Sequence, residues 1–176
     1  QEMLNDPGFD IEDIYNNLDN LNTVGGKKFS KELIALGKNN YRKINKGDWE
    51  PNKVIKNKYV LIIGPGLSIL KYKLKIIRFI KKNKPVVFVL NAINPIPKKY
   101  VYANVVCHPL RLLSDINKYE KSNKYLITPF SSFSKNIKSK INSKKILNFG
   151  IQVKNNRFKF EKNYAVLPKP KLYCVV

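Results

Sequence analysis

Tyr59-Val60-Leu61-Ile62-Ile63-Gly64-Pro65-Gly66-Leu67-Ser68 is the stretch that decides the fold. Apolar residues without alternation describe a strand buried on both faces, because a strand with one wet face alternates apolar and polar side chains. Gly64-Pro65-Gly66 ends that strand, and from Ser68 to about Lys82 the spacing becomes helical. On a helical wheel Ile69, Leu70, Leu74, Ile76, Ile77 and Ile80 share one side, while Lys71, Lys75, Arg78 and Lys82 cluster opposite as a solvated face. Lys73 falls on the apolar side and must carry its ammonium outward along its own methylenes.

The same alternation continues downstream. Pro85 to Leu90 reads as a second buried strand, Ala103 to Cys107 as a third, Lys124 to Thr128 as a fourth and Lys145 to Phe149 as a fifth. A helix is expected from Leu110 to about Lys118. Strands separated by helical segments predict an α/β fold: a Rossmann-like, mostly parallel sheet flanked by helices and wound with right-handed crossovers.

Upstream the character differs. Pro7-Gly8 makes a turn, and Asp10 can cap a helix to about Leu21, with Glu12 and Asp13 where carboxylates suit the helix dipole. Gly25-Gly26 breaks the chain before Ser30 opens a second helix carrying Leu33, Ile34 and Leu36. Lys46 to Pro51 has the composition of a linker with one anchoring aromatic, Trp49. The expected division is a helical tail over residues 1–50 and an α/β domain over residues 51–176. Gln1 at one end and the apolar Tyr173 to Val176 at the other suggest a piece of a longer protein.

The formal charge of +22 raises nucleic acid as a partner, but its pattern argues against a dedicated reader. Only Arg42, Arg78, Arg111 and Arg157 are arginines among the 34 basic residues, and arginine is the residue preferred for bidentate phosphate and base contacts. The remaining lysines are scattered among Asn and Ile. Cys107 and Cys174 stand far apart in apolar runs and indicate neither a disulfide framework nor a zinc site. No stretch approaches the roughly 20 apolar residues of a membrane span, so a cytoplasmic location is expected.

Chemistry concentrates at the turn after the first strand. A glycine-rich turn between a buried strand and a helix is the setting a phosphate loop requires, since free N–H groups at a helix N-terminus attract anions. Gly64 and Gly66 remove a Cβ from the approach, and Ser68 can cap the helix or donate its hydroxyl. The turn is neither a full dinucleotide fingerprint nor a Walker loop. In a parallel sheet ligands bind beyond the carboxyl ends of the strands, which adds Asn91, His108 and Arg111 as binding candidates, with Thr128, Ser131 and Ser132 at the same end. Asn91 could equally cap a turn, and a lone histidine such as His108 is commonly structural. Asp115, Glu120 and Glu161 stand singly among lysines, so no paired-carboxylate or metal site is indicated.

Glu12-Asp13-Ile14, Gly25-Gly26-Lys27-Lys28-Phe29-Ser30, Gly47-Asp48-Trp49-Glu50-Pro51, Val60 to Gly66 and Pro85 to Asn91 follow the opening Gln1-Glu2-Met3-Leu4 in order. Together they resemble the C-terminal part of aldolases related to HMG-CoA lyase and 4-hydroxy-2-oxovalerate aldolase, in the subgroup found with bacterial surface-polysaccharide genes. The resemblance implies a catalytic TIM barrel upstream of Gln1, holding the divalent metal and the residues of carbon–carbon cleavage, and neither a catalytic residue nor a cofactor in this chain. The second domain is similar to the Rossmann-like domain of bacterial sialyltransferases and of proteins related to a pterin diphosphokinase, which share a Gly-x-Gly-Pro-Ser turn. Gly64, Gly66 and Ser68 match that turn, Leu67 replaces its proline, and Asn91 matches an asparagine that faces the nucleotide in the sialyltransferases. His108-Pro109 stands where Asn-Pro is commoner. Ile151 to Val176 resembles the lead-in to a further helix.

The expectation is therefore an accessory domain of an aldolase-type lyase that binds a nucleotide, a nucleotide sugar or another phosphorylated molecule. The alternatives are a sialyltransferase-like glycosyltransferase domain and a basic nucleic-acid-binding module.

Overall fold

The computed structural model describes residues 43–92, 94–107, 109–141, 145–154 and 158–167. The two helices expected between Asp10 and Leu36, together with Cys174, fall outside the described residues. After a short helix α1 (Asn52–Ile55), the chain runs through β1 (Val60–Ile63), α2 (Ser68–Asn83) and β2 (Val86–Leu90). It continues with β3 (Ala103–Val105), α3 (Pro109–Ser114), α4 (Ile116–Glu120), β4 (Tyr125–Thr128), α5 (Lys135–Lys140) and β5 (Ile146–Asn148).

These five strands form one all-parallel sheet in the order β1-β2-β3-β4-β5. The fold is α/β and Rossmann-like, and its strand order never reverses. The topological switch point, where such sheets commonly open a crevice, is therefore absent from this sheet. The helices that connect successive neighbours pack on one face. On that face Ile63, Val87 and Val89 pack with Ile69 and Ile80 of α2, and with Ile96 and Val101 of the β2–β3 connection. A second cluster joins Leu126 to Leu112, Phe133, Ile137 and Ile141. The opposite face, with Val86, Phe88, Ala103 and Ile127, is covered by Trp49, by Val54 and Ile55 of α1, and by Phe149. Trp49 meets the Phe88 ring edge-on at 6.4 Å, so the expected anchoring aromatic does anchor the segment before α1.

The helix layer has a gap. Among the described residues, 91–102 connect β2 to β3 with only one 3-10 turn, Lys98–Tyr100, so this connection brings no α-helix onto the sheet. Register places Ile63, Val89, Asn104, Leu126 and Ile146 in one row across the sheet. β3 thus contributes a buried asparagine where its neighbours contribute aliphatic side chains, and the two apolar clusters lie on either side of it.

Several expectations need correction. Leu70 and Leu74 of α2 are 61% and 69% exposed, although the wheel places them on the apolar side. β1 is an edge strand, so the sheet ends beneath α2 and covers only the stripe Ile69, Ile76 and Ile80. The stretch from Ile151 to Val176 that resembles the lead-in to a further helix runs on outside the described residues, and of it residues 151–154 and 158–167 are described. They form a small sheet of β6 (Ile151–Val153), β7 (Lys159–Phe160) and β8 (Ala165–Leu167), in the order β6-β8-β7. The segment expected as a linker is hydrogen-bonded into the fold: Gly47 N donates to Asn163 O at 2.7 Å, and Asp48 and Trp49 N both donate to Asn148 O.

Gly47 and Gly150 are where glycine is required. A Cβ on Gly47 would stand 2.5 Å from both Asn148 O and Gly150 N, and one on Gly150 would stand 2.5 Å from Asn45 O. The two backbones meet face to face with no room for a side chain.

Candidate functional site

At the turn between β1 and α2 neither Gly64 nor Gly66 is held at a positive φ, and added Cβ atoms would have their nearest neighbours at 4.0 Å and 3.7 Å. The backbone does not demand glycine here, so the glycines leave open space. α2 is a 16-residue helix with no side-chain cap and no acidic residue in its first turn. Ile69 N and Leu70 N donate back to Gly66 O and Leu67 O, whereas the N–H groups of Gly66, Leu67 and Ser68 have no acceptor among the described residues. Those orphan donors are the usual feature of an α-helical N-terminus and need water, a cap or an anion. A depression of about 250 Å³ adjoins the turn between Pro65, Gly66, Leu67 and Leu70 on one side and Asn94 and Pro95 on the other. Its lining is mostly apolar and, among the described residues, contains no charged side chain.

Of the other sequence candidates, Ser68 begins α2 with its side chain exposed, and neither it nor Gly64 lines the depression. Asn91 sits at the end of β2 with a positive φ of 63°. Its N–H donates to Val105 O, and its carbonyl accepts from Asn104 Nδ2 at 2.8 Å. Its backbone therefore ties β2 to β3. His108 lies outside the described residues. Arg111 is half-buried on α3, and its Nε is buried without a hydrogen-bond partner among the described residues. It acts electrostatically on Tyr119 of α4. Thr128 is fully buried at the end of β4, and its hydroxyl and that of Ser131 lack partners among the described residues. Ser132 Oγ is satisfied by Pro129 O. Of these candidates, only Gly66 lines the depression beside the turn.

A different set of side chains converges over β3. In the gap of the helix layer a groove of about 330 Å³ runs between Asn94 and Lys98 of the connection and Lys118, Tyr119, Lys121 and Lys124 around α4. Asn104 is its floor, and every charged residue lining it among the described residues is a lysine. Lys118 is paired at 2.8 Å with Asp115, a carboxylate only 5% exposed. Lys98, Lys121 and Lys124 have no carboxylate partner among the described residues. The Tyr119 hydroxyl is buried and without a hydrogen-bond partner among the described residues. Burial, then the Asp115 carboxylate, pushes its ionisation well above the ordinary phenol range, with Arg111 opposing, so it remains an O–H donor at neutral pH. A neighbouring cavity of about 320 Å³ shares Asn104, Tyr119, Ser122 and Lys124 with the groove.

Sequence reasoning misses this groove because lysines occur throughout the chain. Two signals point to it: the three-residue spacing of Lys118, Lys121 and Lys124 before β4, and the polar Asn104 inside the apolar run Ala103 to Val106.

Among the described residues no group of His, Cys, Asp and Glu could hold a metal ion, and no helix is long and apolar enough to cross a membrane. No family model matches the chain, and no curated protein or solved structure matches it either.

Proposed function

We propose that the α/β domain binds a phosphorylated small molecule, a nucleotide or nucleotide sugar by class, with the phosphate on the Gly64–Ser68 turn. The observation that carries the reading is the uncapped head of α2. Three N–H groups in sequence lack acceptors there, no carboxylate competes in the first turn, and the glycines keep the approach clear. An anion stabilises such a terminus through both the orphan donors and the helix dipole. The depression beside the turn, walled by Pro65 and Pro95, gives an apolar or planar part of the same ligand a place to lie. The domain is then an accessory module, and the resemblance to aldolases of the HMG-CoA lyase type supports a carbon–carbon lyase as the parent activity.

The test is the thermal midpoint of the chain with uridine and cytidine nucleotides. A saturable rise that disappears in Gly66→Val, whose branched side chain fills the approach, is the expected result. No rise with any nucleotide, nucleotide sugar or inorganic phosphate would remove the reading.

A further inference from the structure

We infer that the groove over β3 is a second anion site, built for the oligophosphate group of a small molecule and separate from the turn at the head of α2. Three observations converge on it. The groove exists because the β2–β3 connection supplies no α-helix, so its floor is a strand and it is walled on both sides. At about 330 Å³ it has the size of a small-molecule site. Its charged lining is of one sign, with lysines approaching from both walls: Lys98 from the connection, and Lys118, Lys121 and Lys124 from α4 and the turn after it.

Cations facing one another across a groove repel, and the arrangement gains most when a multivalent anion lies between them. Lys118 is partly neutralised by Asp115, which leaves three unpaired ammonium groups. An oligophosphate carries several negative charges along an extended chain. Lysine's compact charge and rotatable donors suit such a chain, which presents oxygens in many directions. Asn104 is held from below, since its Nδ2 is committed to Asn91 O.

Asn94 borders both this groove and the depression at the α2 turn. Its Oδ1 accepts from Ile96 N at 3.0 Å, which fixes the residue between the two concavities. The groove's assignment does not depend on the turn binding anything.

The experiment is calorimetric titration of the whole chain with inorganic triphosphate and, separately, with a nucleoside triphosphate, at low and moderate salt. Lys98→Gln/Lys121→Gln is compared with Lys71→Gln/Lys75→Gln, which removes the same charge from the outer face of α2, where both lysines lie over the Tyr72 ring. The groove pair should weaken binding by about tenfold, and the α2 pair by less than about twofold. Tighter binding of the nucleoside triphosphate identifies a nucleotide as the source of the phosphates, and equal or weaker binding identifies a free oligophosphate. Equal losses in the two double variants would overturn the inference as a bulk charge effect. So would an oligonucleotide that displaces triphosphate and is itself indifferent to the groove variants. Loss of triphosphate binding in Gly66→Val alone would also overturn it while leaving the turn reading intact. Loss in the groove variants alone would uphold it whatever becomes of the turn.

Discussion

Asn104 Nδ2 donates to the carbonyl oxygen of Asn91 at 2.8 Å, joining the middle of β3 to the end of β2 at the point where the chain takes a positive φ of 63°. The left-handed conformation strains any side chain, and asparagine tolerates it better than most. Asn91→Ala should therefore lower stability by about 1 kcal/mol, whereas Asn91→Gly should leave it unchanged or slightly higher. Denaturant midpoints measure both. A glycine variant as damaged as the alanine variant would mean that the Asn91 side chain, and not its backbone, matters to the fold.

Glycines that look alike in the sequence should behave differently. Gly150→Ala and Gly47→Ala place a Cβ against backbone atoms and should each cost about 1–3 kcal/mol or more, because neither neighbour can swing aside. Gly66→Ala makes only an ordinary contact with Ser68 Oγ at 3.7 Å and should change stability by less than about 0.5 kcal/mol. Urea unfolding of the three variants decides it, and a tolerated Gly150→Ala would contradict the close approach.

The hydroxyl of Thr128 is fully buried with no partner among the described residues. Leaving such a group unsatisfied costs about 1–3 kcal/mol, so Thr128→Val should raise stability by about 1 kcal/mol. Unchanged nucleotide binding in that variant would also remove Thr128 from the ligand-facing residues. A destabilised valine variant would show that the hydroxyl has an acceptor after all.

Burial pushes the Cys107 thiol up from its ordinary 9.0 to about 11. The folded state therefore holds this proton more tightly than the unfolded state. The stability it contributes is fully present below pH 9.0 and is lost as pH rises through about 11. In a Cys174→Ser background, Cys107 should react with a thiol reagent at pH 8 about a hundredfold more slowly than a free cysteine does, since only the thiolate attacks. Reaction at the rate of a free thiol would contradict the burial.

The strands β1 to β5 are legible in the sequence because each is a short apolar run bounded by polar or turn-forming residues. Periodicity alone does not say where a sheet ends, and for that reason Leu70 and Leu74 look like core and are exposed. β6, β7 and β8 are two or three residues long and include Gln152 and Lys159, too brief for a pattern to register. The contact of Gly47 with Asn163 depends on a pairing between distant parts of the chain, which no local window contains. The glycine turn is legible because its chemistry is local. The lysine groove is not, because it arises from a missing helix in the β2–β3 connection and from the strand order that brings Lys98 opposite Lys121 and Lys124.

The strap at residues 45–49 has a consequence for synthesis. Each strand of the main sheet pairs with the strand before it, so the sheet can extend from one edge as the chain lengthens, with only a modest loop to close at each step. The strap is made before any of those strands, yet its partners are Asn148, Ile151 and Asn163. It cannot be seated until residue 163 has left the ribosome. Until then Phe88 on the growing sheet lacks its Trp49 cover, and the face opposite the helices is covered only in part, by Val54 and Ile55 of α1. The first part of this domain to be made is therefore among the last to be locked, and Gly47 and Gly150 are the residues that let it close.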